Sequence, residues 1–139
     1  MQLRDPALLR DQAYVNGAWR GAATTFPVAD PATGEILARV AELGAAETRR
    51  AIEAANAAWP AWRALTARRR ASILRDWFEL ILANADDLAL LMTLEQGKPL
   101  AEAKGEIVYG ASFVEWFAEE GKRIYGDVIP SPMADQSCT

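Results

Sequence analysis

Over the first 44 residues the apolar positions come in short runs separated by turn residues, and from about Ala45 onward they recur at helical spacing. Tyr14-Val15-Asn16-Gly17-Ala18-Trp19 sets Asn-Gly between two short runs, the strongest local signal for a two-residue hairpin turn. Both turn positions need positive φ, which asparagine tolerates and glycine adopts freely. A second turn, Asp30-Pro31-Ala32-Thr33-Gly34-Glu35, separates Phe26–Ala29 from Glu35–Val40, with Pro31 presetting φ and Gly34 supplying a left-handed position. Two β-hairpins therefore open the chain. The helical part predicts Ala46–Trp59, with Ile52, Ala55 and Trp59 on one face and Pro60 ending it. Thr66 caps a second helix, Ala67–Asn84, whose Ile73, Trp77 and Ile81 lie beside Leu74, Phe78 and Leu82. Asp86 and Asp87 start a short third helix carrying Leu88, Leu91 and Leu94. Gly97-Lys98-Pro99 breaks the pattern before a long fourth helix, Pro99–Arg123, with Ile107, Val114 and Phe117 flanked by Tyr109, Phe113 and Trp116. Such a helix is expected to be buried on more than one side. Asp127–Pro130 looks like an opening strand, and Ser131–Thr139 is polar, patternless and expected to be disordered.

Composition narrows the chemistry. Of 139 residues 28 are alanine, 51% are hydrophobic and 24% charged, which fits a globular, mostly helical chain. The net charge of −4 gives no electrostatic footprint for nucleic acid or an anionic membrane. No apolar stretch approaches the roughly 20 residues of a membrane span. Residues 1–12 are too charged for a signal-peptide core, so the cytoplasm is the expected compartment. There is no histidine, and the single cysteine, Cys138, forms no internal disulfide and no Cys/His zinc site.

Few side chains are left to carry a reaction. Arg68-Arg69-Arg70 stands near a helix N-terminus, where an anion is favoured, but a charge run of this kind reads first as a solvated helical face. Glu95, Glu102, Glu106 and Glu115 could supply paired carboxylates; their spacing fits surface ion pairs with Lys98 and Lys104 better. Cys138 lacks any histidine to activate it. The five tryptophans interleave with aliphatic residues at helical spacing, as core residues do. Gly105 and Gly110 fall inside a helix and make no phosphate loop.

The motifs together are more telling than any one residue. Thr93-Leu94-Glu95-Gln96-Gly97-Lys98-Pro99-Leu100-Ala101-Glu102-Ala103 resembles a characteristic segment of the NAD(P)-dependent aldehyde dehydrogenases. Ala111–Glu120, continued by Tyr125-Gly126-Asp127-Val128-Ile129-Pro130, resembles the succinate-semialdehyde dehydrogenase branch. Val15-Asn16-Gly17, Asp30–Glu35 and Arg69–Leu74 match the family's N-terminal pattern in order and spacing, so the likeness runs from about Asp11 to Pro132.

The resemblance implies an α/β parent fold of which residues 1–130 form an N-terminal part of the cofactor-binding and oligomerisation region. It implies oxidation of an aldehyde, succinate semialdehyde foremost, through cysteine attack, hydride transfer to NAD or NADP and thioester hydrolysis, in a homo-oligomer. The alternative is a non-catalytic helical module that docks onto full-length subunits. Family members are well over twice this length, and their nucleophile, base and cofactor residues lie downstream of the part matched here. No catalytic or cofactor-binding residue carries over; Cys138 is not in the nucleophile motif, and no cofactor is expected to bind this chain alone. One site does carry over: a monovalent cation held by the carbonyls of Val28 and Ala29 and the side chain of Glu95, where many members have aspartate. The plain alternative for Glu95 is an acid at a helix terminus with no ion. Residues 131–139 depart from the family pattern, which points to a frameshift, a premature stop or a fragmentary gene.

Overall fold

The computed structural model describes residues 2–127. A single 3-10 turn, Pro6–Leu8, precedes the first hairpin and has no counterpart in the sequence pattern. Asn16 and Gly17 take φ of 51° and 77°, and the tight turn they make pairs β1 (Ala13–Val15) with β2 (Ala18–Arg20) antiparallel. Tyr14 faces Trp19 across this ladder with ring centroids 5.1 Å apart. The second hairpin pairs β3 (Thr25–Ala29) with β4 (Ile36–Ala41). Its turn holds Gly34 at φ 76°; the Gly34 N–H donates to the Asp30 carbonyl (2.8 Å), and the Asp30 side chain accepts from the Ala32 N–H (2.7 Å). Val28 pairs with Ala38 but Ala29 with Ile36, leaving Leu37 as an extra residue, a β-bulge that bends the strand.

Four helices follow. α1 (Ala45–Ala64) starts at Gly44, whose N–H is met by the Glu47 carboxylate (3.2 Å). It runs through Pro60, so the expected stop at Trp59 is corrected. A proline forfeits one intrahelical hydrogen bond without abolishing the turns beyond it. Here the last turn is held from outside, because the Arg70 guanidinium donates to the carbonyls of Arg63 and Leu65. α2 (Ala67–Ala83) begins at Thr66, whose hydroxyl oxygen accepts the Arg69 N–H (3.2 Å), as the sequence predicts. Asn84 joins it to α3 (Ala85–Gln96), and Gly97, left-handed at φ 79°, ends α3. α4 (Leu100–Glu120) stops three residues before the expected Arg123, with Lys122 and Arg123 donating back into its last turn.

The core is the seam where α4 packs against α2 and α3. Its buried apolar residues are six alanines, 71, 85, 89, 103, 111 and 118, with Phe78 and Leu90. Ala103, Ala111 and Ala118, spaced by whole turns, let the helix backbones approach closely. The large aromatics of α4 turn away from this seam: Trp116 is 63% exposed, and Tyr109, Phe113 and Phe117 are also exposed. Trp77, Leu80 and Leu82 on α2 and Ile52 and Trp59 on α1 are exposed too, and α1 buries no residue. The expectation that these aromatics are core is therefore corrected for this chain. No helix among the described residues is long and apolar enough to cross a membrane. The opening strand expected at 127–130 and the disordered tail at 131–139 lie, from Val128 on, outside the described residues.

Candidate functional site

Two turns set the geometry of the predicted cation position. Val28 is half-buried and Ala29 exposed at the end of β3, beside the bulge, and the chain leaves them through the Asp30-Pro31 turn. Glu95 lies exposed in the last turn of α3, which packs against β3. Beyond it Gly97 closes the helix, its N–H donating to the Thr93 carbonyl (2.8 Å). A Cβ on Gly97 would stand 3.0 Å from Pro31 Cγ, so the two turns touch, and an added methyl group would require the proline ring to give by a few tenths of an ångström. The fold thus brings the Val28–Ala29 segment and the Glu95 segment to one place although 66 positions separate Ala29 from Glu95 in the sequence. Backbone carbonyls and a carboxylate are hard oxygen donors, suited to an alkali or alkaline-earth ion and not to a soft metal. Among the described residues no group of three or more Asp, Glu, His or Cys side chains could hold a metal, so an ion here would rest largely on main-chain oxygen.

Thr93 carries a polar group that the sequence reading missed, on a different face of α3 from Glu95. Its hydroxyl, two positions before Glu95 on α3, is buried and has no hydrogen-bond partner among the described residues. Helical threonines usually satisfy that group on a preceding carbonyl, so nothing in the sequence marks this one.

The remaining sequence candidates scatter. Arg70 is neither an anion ligand nor a free surface charge, since it caps α1. Arg68 and Arg69 are exposed. Of the four glutamates, Glu106 pairs with Lys98 and Glu115 with Arg75 (2.8 Å), whereas Lys104 binds Asp86 (2.5 Å) instead of a glutamate. Arg75 also meets Glu79 at 2.7 Å; the hydrogen bond with Glu79, reinforced by Glu115, raises its already high pKa. Asp86 is held below the ordinary aspartate range first by its hydrogen bond from Lys104, then by charge attraction to Lys104 and Arg4. Glu119 is lowered in the same way by Lys122. These are screened surface pairs, and no two carboxylates are set up for opposite acid and base roles. Cys138 lies outside the described residues.

Concave surface is equally unspecific. An open hollow of about 680 Å³ lies between the first hairpin, the end of β4 and α1. Its charged lining is Arg20, Glu42, Glu47 and Arg50, and Glu47 and Arg50 approach one another at 3.6 Å. Opposite charges offset each other there. Gly105 and Gly110 face open space in the middle of α4, inside a helix and not in a strand–turn–helix loop, as the sequence places them.

Comparison with known proteins gives this geometry its context. The aldehyde dehydrogenase family model matches residues 19–139, a span that includes 131–139, the stretch expected from the sequence to lie outside the family. A glutarate-semialdehyde dehydrogenase of Pseudomonas putida is 64% identical over 138 residues, covering 98% of this chain and 29% of that protein. The NADP(+) succinate-semialdehyde dehydrogenase of Escherichia coli is 62% identical with the same coverage of both. The crystal structure of succinate-semialdehyde dehydrogenase from Burkholderia pseudomallei superposes with a TM-score of 0.94 at 62% identity, over 99% of this chain and 29% of that one. The chain spans under a third of the length of these relatives and matches them over 98–99% of its own length. With its hairpins, its four helices and its turn motifs, this chain belongs to the aldehyde dehydrogenase family.

Proposed function

We propose that this chain serves as the N-terminal portion of a dehydrogenase that oxidises a short semialdehyde, succinate semialdehyde first and glutarate semialdehyde next, to its acid. The overall chemistry consumes water and NAD(P)+ and yields the acid, NAD(P)H and a proton. The observation that carries this reading is the 62–64% identity, across nearly the whole chain, to enzymes named for those two aldehydes. Within this reading the chain supplies framework, and the nucleophile, base and cofactor residues come from the rest of the enzyme. The reading carries with it a cytoplasmic, homo-oligomeric parent enzyme using NAD or NADP. The test has two arms, both read by NAD(P)H absorbance with succinate semialdehyde. The 139-residue chain alone is expected to give no turnover above a heat-killed control. A chimera in which residues 2–127 replace the matching segment of the Escherichia coli enzyme is expected to be active. Turnover by the chain alone, or a folded but inactive chimera, sinks the reading.

In the same reading Val28, Ala29 and Glu95 hold a monovalent cation, supported by the contact between the Pro31 and Gly97 turns. Thermal unfolding in sodium or potassium chloride, compared with choline chloride, is expected to show a stabilisation that Glu95→Gln removes. Equal midpoints in all three salts for the unmodified chain count against the ion.

A second reading, a non-catalytic module that docks onto full-length subunits, is favoured by the exposed Trp77, Leu80, Trp116 and Phe117. Co-elution with a full-length homologous enzyme on size exclusion, together with a folded but inactive chimera, separates it from the first.

A further inference from the structure

Asp87, in the first turn of α3, is the one buried charged side chain among the described residues, at 6% exposure. Both of its oxygens are committed to a segment more than eighty positions away. Oδ1 accepts the backbone N–H of Arg4 at 3.0 Å, and Oδ2 that of Asp5 at 2.8 Å. Asp5 itself accepts the Ala7 N–H (2.9 Å) and so starts the 3-10 turn. On the outside the Arg4 guanidinium meets Asp86 at 3.2 Å, with both groups largely exposed. The far end of the segment is tied where the Asp11 carbonyl accepts the Ala41 N–H (2.8 Å).

Apolar burial contributes little to this arrangement. The 3-10 turn buries no residue, Leu3 and Leu8 are half-buried, and Leu9 is exposed. Beneath Gln2 and Arg4 runs a hollow floored by Ala89, Leu90, Leu100 and Ala101 from α3 and α4. The segment therefore lies across apolar helix surface but is fastened by polar contacts. Hydrogen bonds to an ionised acceptor are about twice as strong as neutral ones, and a buried carboxylate that loses its donors carries a large desolvation cost.

We propose that residues 2–11 form a detachable strap across the α3–α4 seam, with Asp87 as its latch. Because two adjacent N–H groups share one carboxylate, the strap is held or released as a unit. Release uncovers the Ala89–Leu90 floor and leaves the α2–α4 seam packed.

Residue-resolved hydrogen exchange on the whole chain tests this. In the unmodified chain the Arg4 and Asp5 amides are expected to be protected, yet to exchange before those of Ala103, Ala111 and Ala118, as a locally opening unit does. Asp87→Asn keeps the shape but turns one acceptor into a donor. It is expected to speed exchange at Arg4 and Asp5 by roughly 10- to 100-fold while leaving α4 unchanged. Arg4→Ala removes the exposed ion pair and keeps the N–H; its effect is expected to stay within about two-fold. The latch is overturned if Asp87→Asn leaves both amides unchanged, or if it speeds α3 and α4 to the same degree or unfolds the chain. It is equally overturned if Arg4 and Asp5 of the unmodified chain exchange in step with α4.

Discussion

Phe78→Ala asks whether the alanine-lined seam carries the stability of this chain. Phe78 is 9% exposed and is the largest buried side chain of α2, on the face turned towards α4. Truncation removes at least about 150 Å² of buried apolar surface, worth about 4 kcal/mol at roughly 25 cal/mol per Å². Residual burial in the denatured chain lowers that figure, whereas the cavity left behind raises it, and phenylalanine truncations in cores cost about 3–5 kcal/mol. The Arg75 guanidinium, 4.8 Å from the ring centroid, adds at most about 1 kcal/mol that is lost with the ring. The expected loss is about 3–4 kcal/mol, a large fraction of the roughly 5–15 kcal/mol that a domain possesses. Leu80→Ala is the control on the same helix: Leu80 is 62% exposed, and its truncation is expected to change stability by less than about 0.5 kcal/mol. Urea unfolding followed by tryptophan fluorescence gives both numbers from the midpoint and slope. Equal losses for Phe78 and Leu80 would refute the assignment of the seam as the core.

Three further outcomes follow from local geometry. Arg70→Ala removes the donors to the Arg63 and Leu65 carbonyls, so amides of residues 61–65 are expected to exchange faster while α2 keeps its protection; unchanged exchange there means Pro60 is tolerated for another reason. Gly110→Ala, mid-helix with open space around the added methyl, is expected to stabilise by about 0.5–1 kcal/mol in thermal unfolding, and a loss would reveal a contact the geometry does not contain. Asp86 has its folded pKa depressed, so its contribution is complete above its unfolded value of about 3.9 and is lost as pH falls through the folded value. The stability difference between the unmodified chain and Asp86→Asn is thus expected at neutral pH and should vanish in strong acid; a difference independent of pH removes the Lys104 and Arg4 pairing as its cause.

What the sequence made legible was whatever depends on neighbours in the chain. Asn16-Gly17, Gly34 and Gly97 were readable because few residues accept positive φ, and all four take it. Thr66 was readable because an N-cap is satisfied within three residues. Pro60 misled because the group that holds the turn beyond it, Arg70, belongs to the next helix. The aromatics misled for a different reason. Helical spacing shows that Trp116 and Phe117 share an apolar flank, but not whether this chain covers it, and here alanines take the close contacts instead. Asp87 read as an acid favoured by the α3 dipole; its bonds to Arg4 and Asp5 span a separation that no local pattern encodes. The Val28 and Ala29 positions were the least legible of all, because any residue has a carbonyl. Only resemblance marked them.

The contact between Gly97 and Pro31 puts two constraints on one residue, and a double-mutant cycle separates them. Gly97 needs positive φ to close α3, and a Cβ on it would press against Pro31 Cγ at 3.0 Å. Gly97→Ala therefore pays a backbone cost of about 1–2 kcal/mol and, in addition, pushes the Asp30–Pro31 turn aside. Pro31→Ala deletes the ring atom in question and frees the exposed turn at modest cost. If the two turns are held together sterically, the double variant recovers the share due to the clash and keeps the share due to φ. Its loss should then fall short of the summed single losses by at least about 0.5 kcal/mol. Additivity within about 0.3 kcal/mol would mean that the turns do not press on one another. The carbonyls of Val28 and Ala29 would then be positioned by their own hairpin and bulge, and their relation to Glu95 would rest on the packing of α3 against β3.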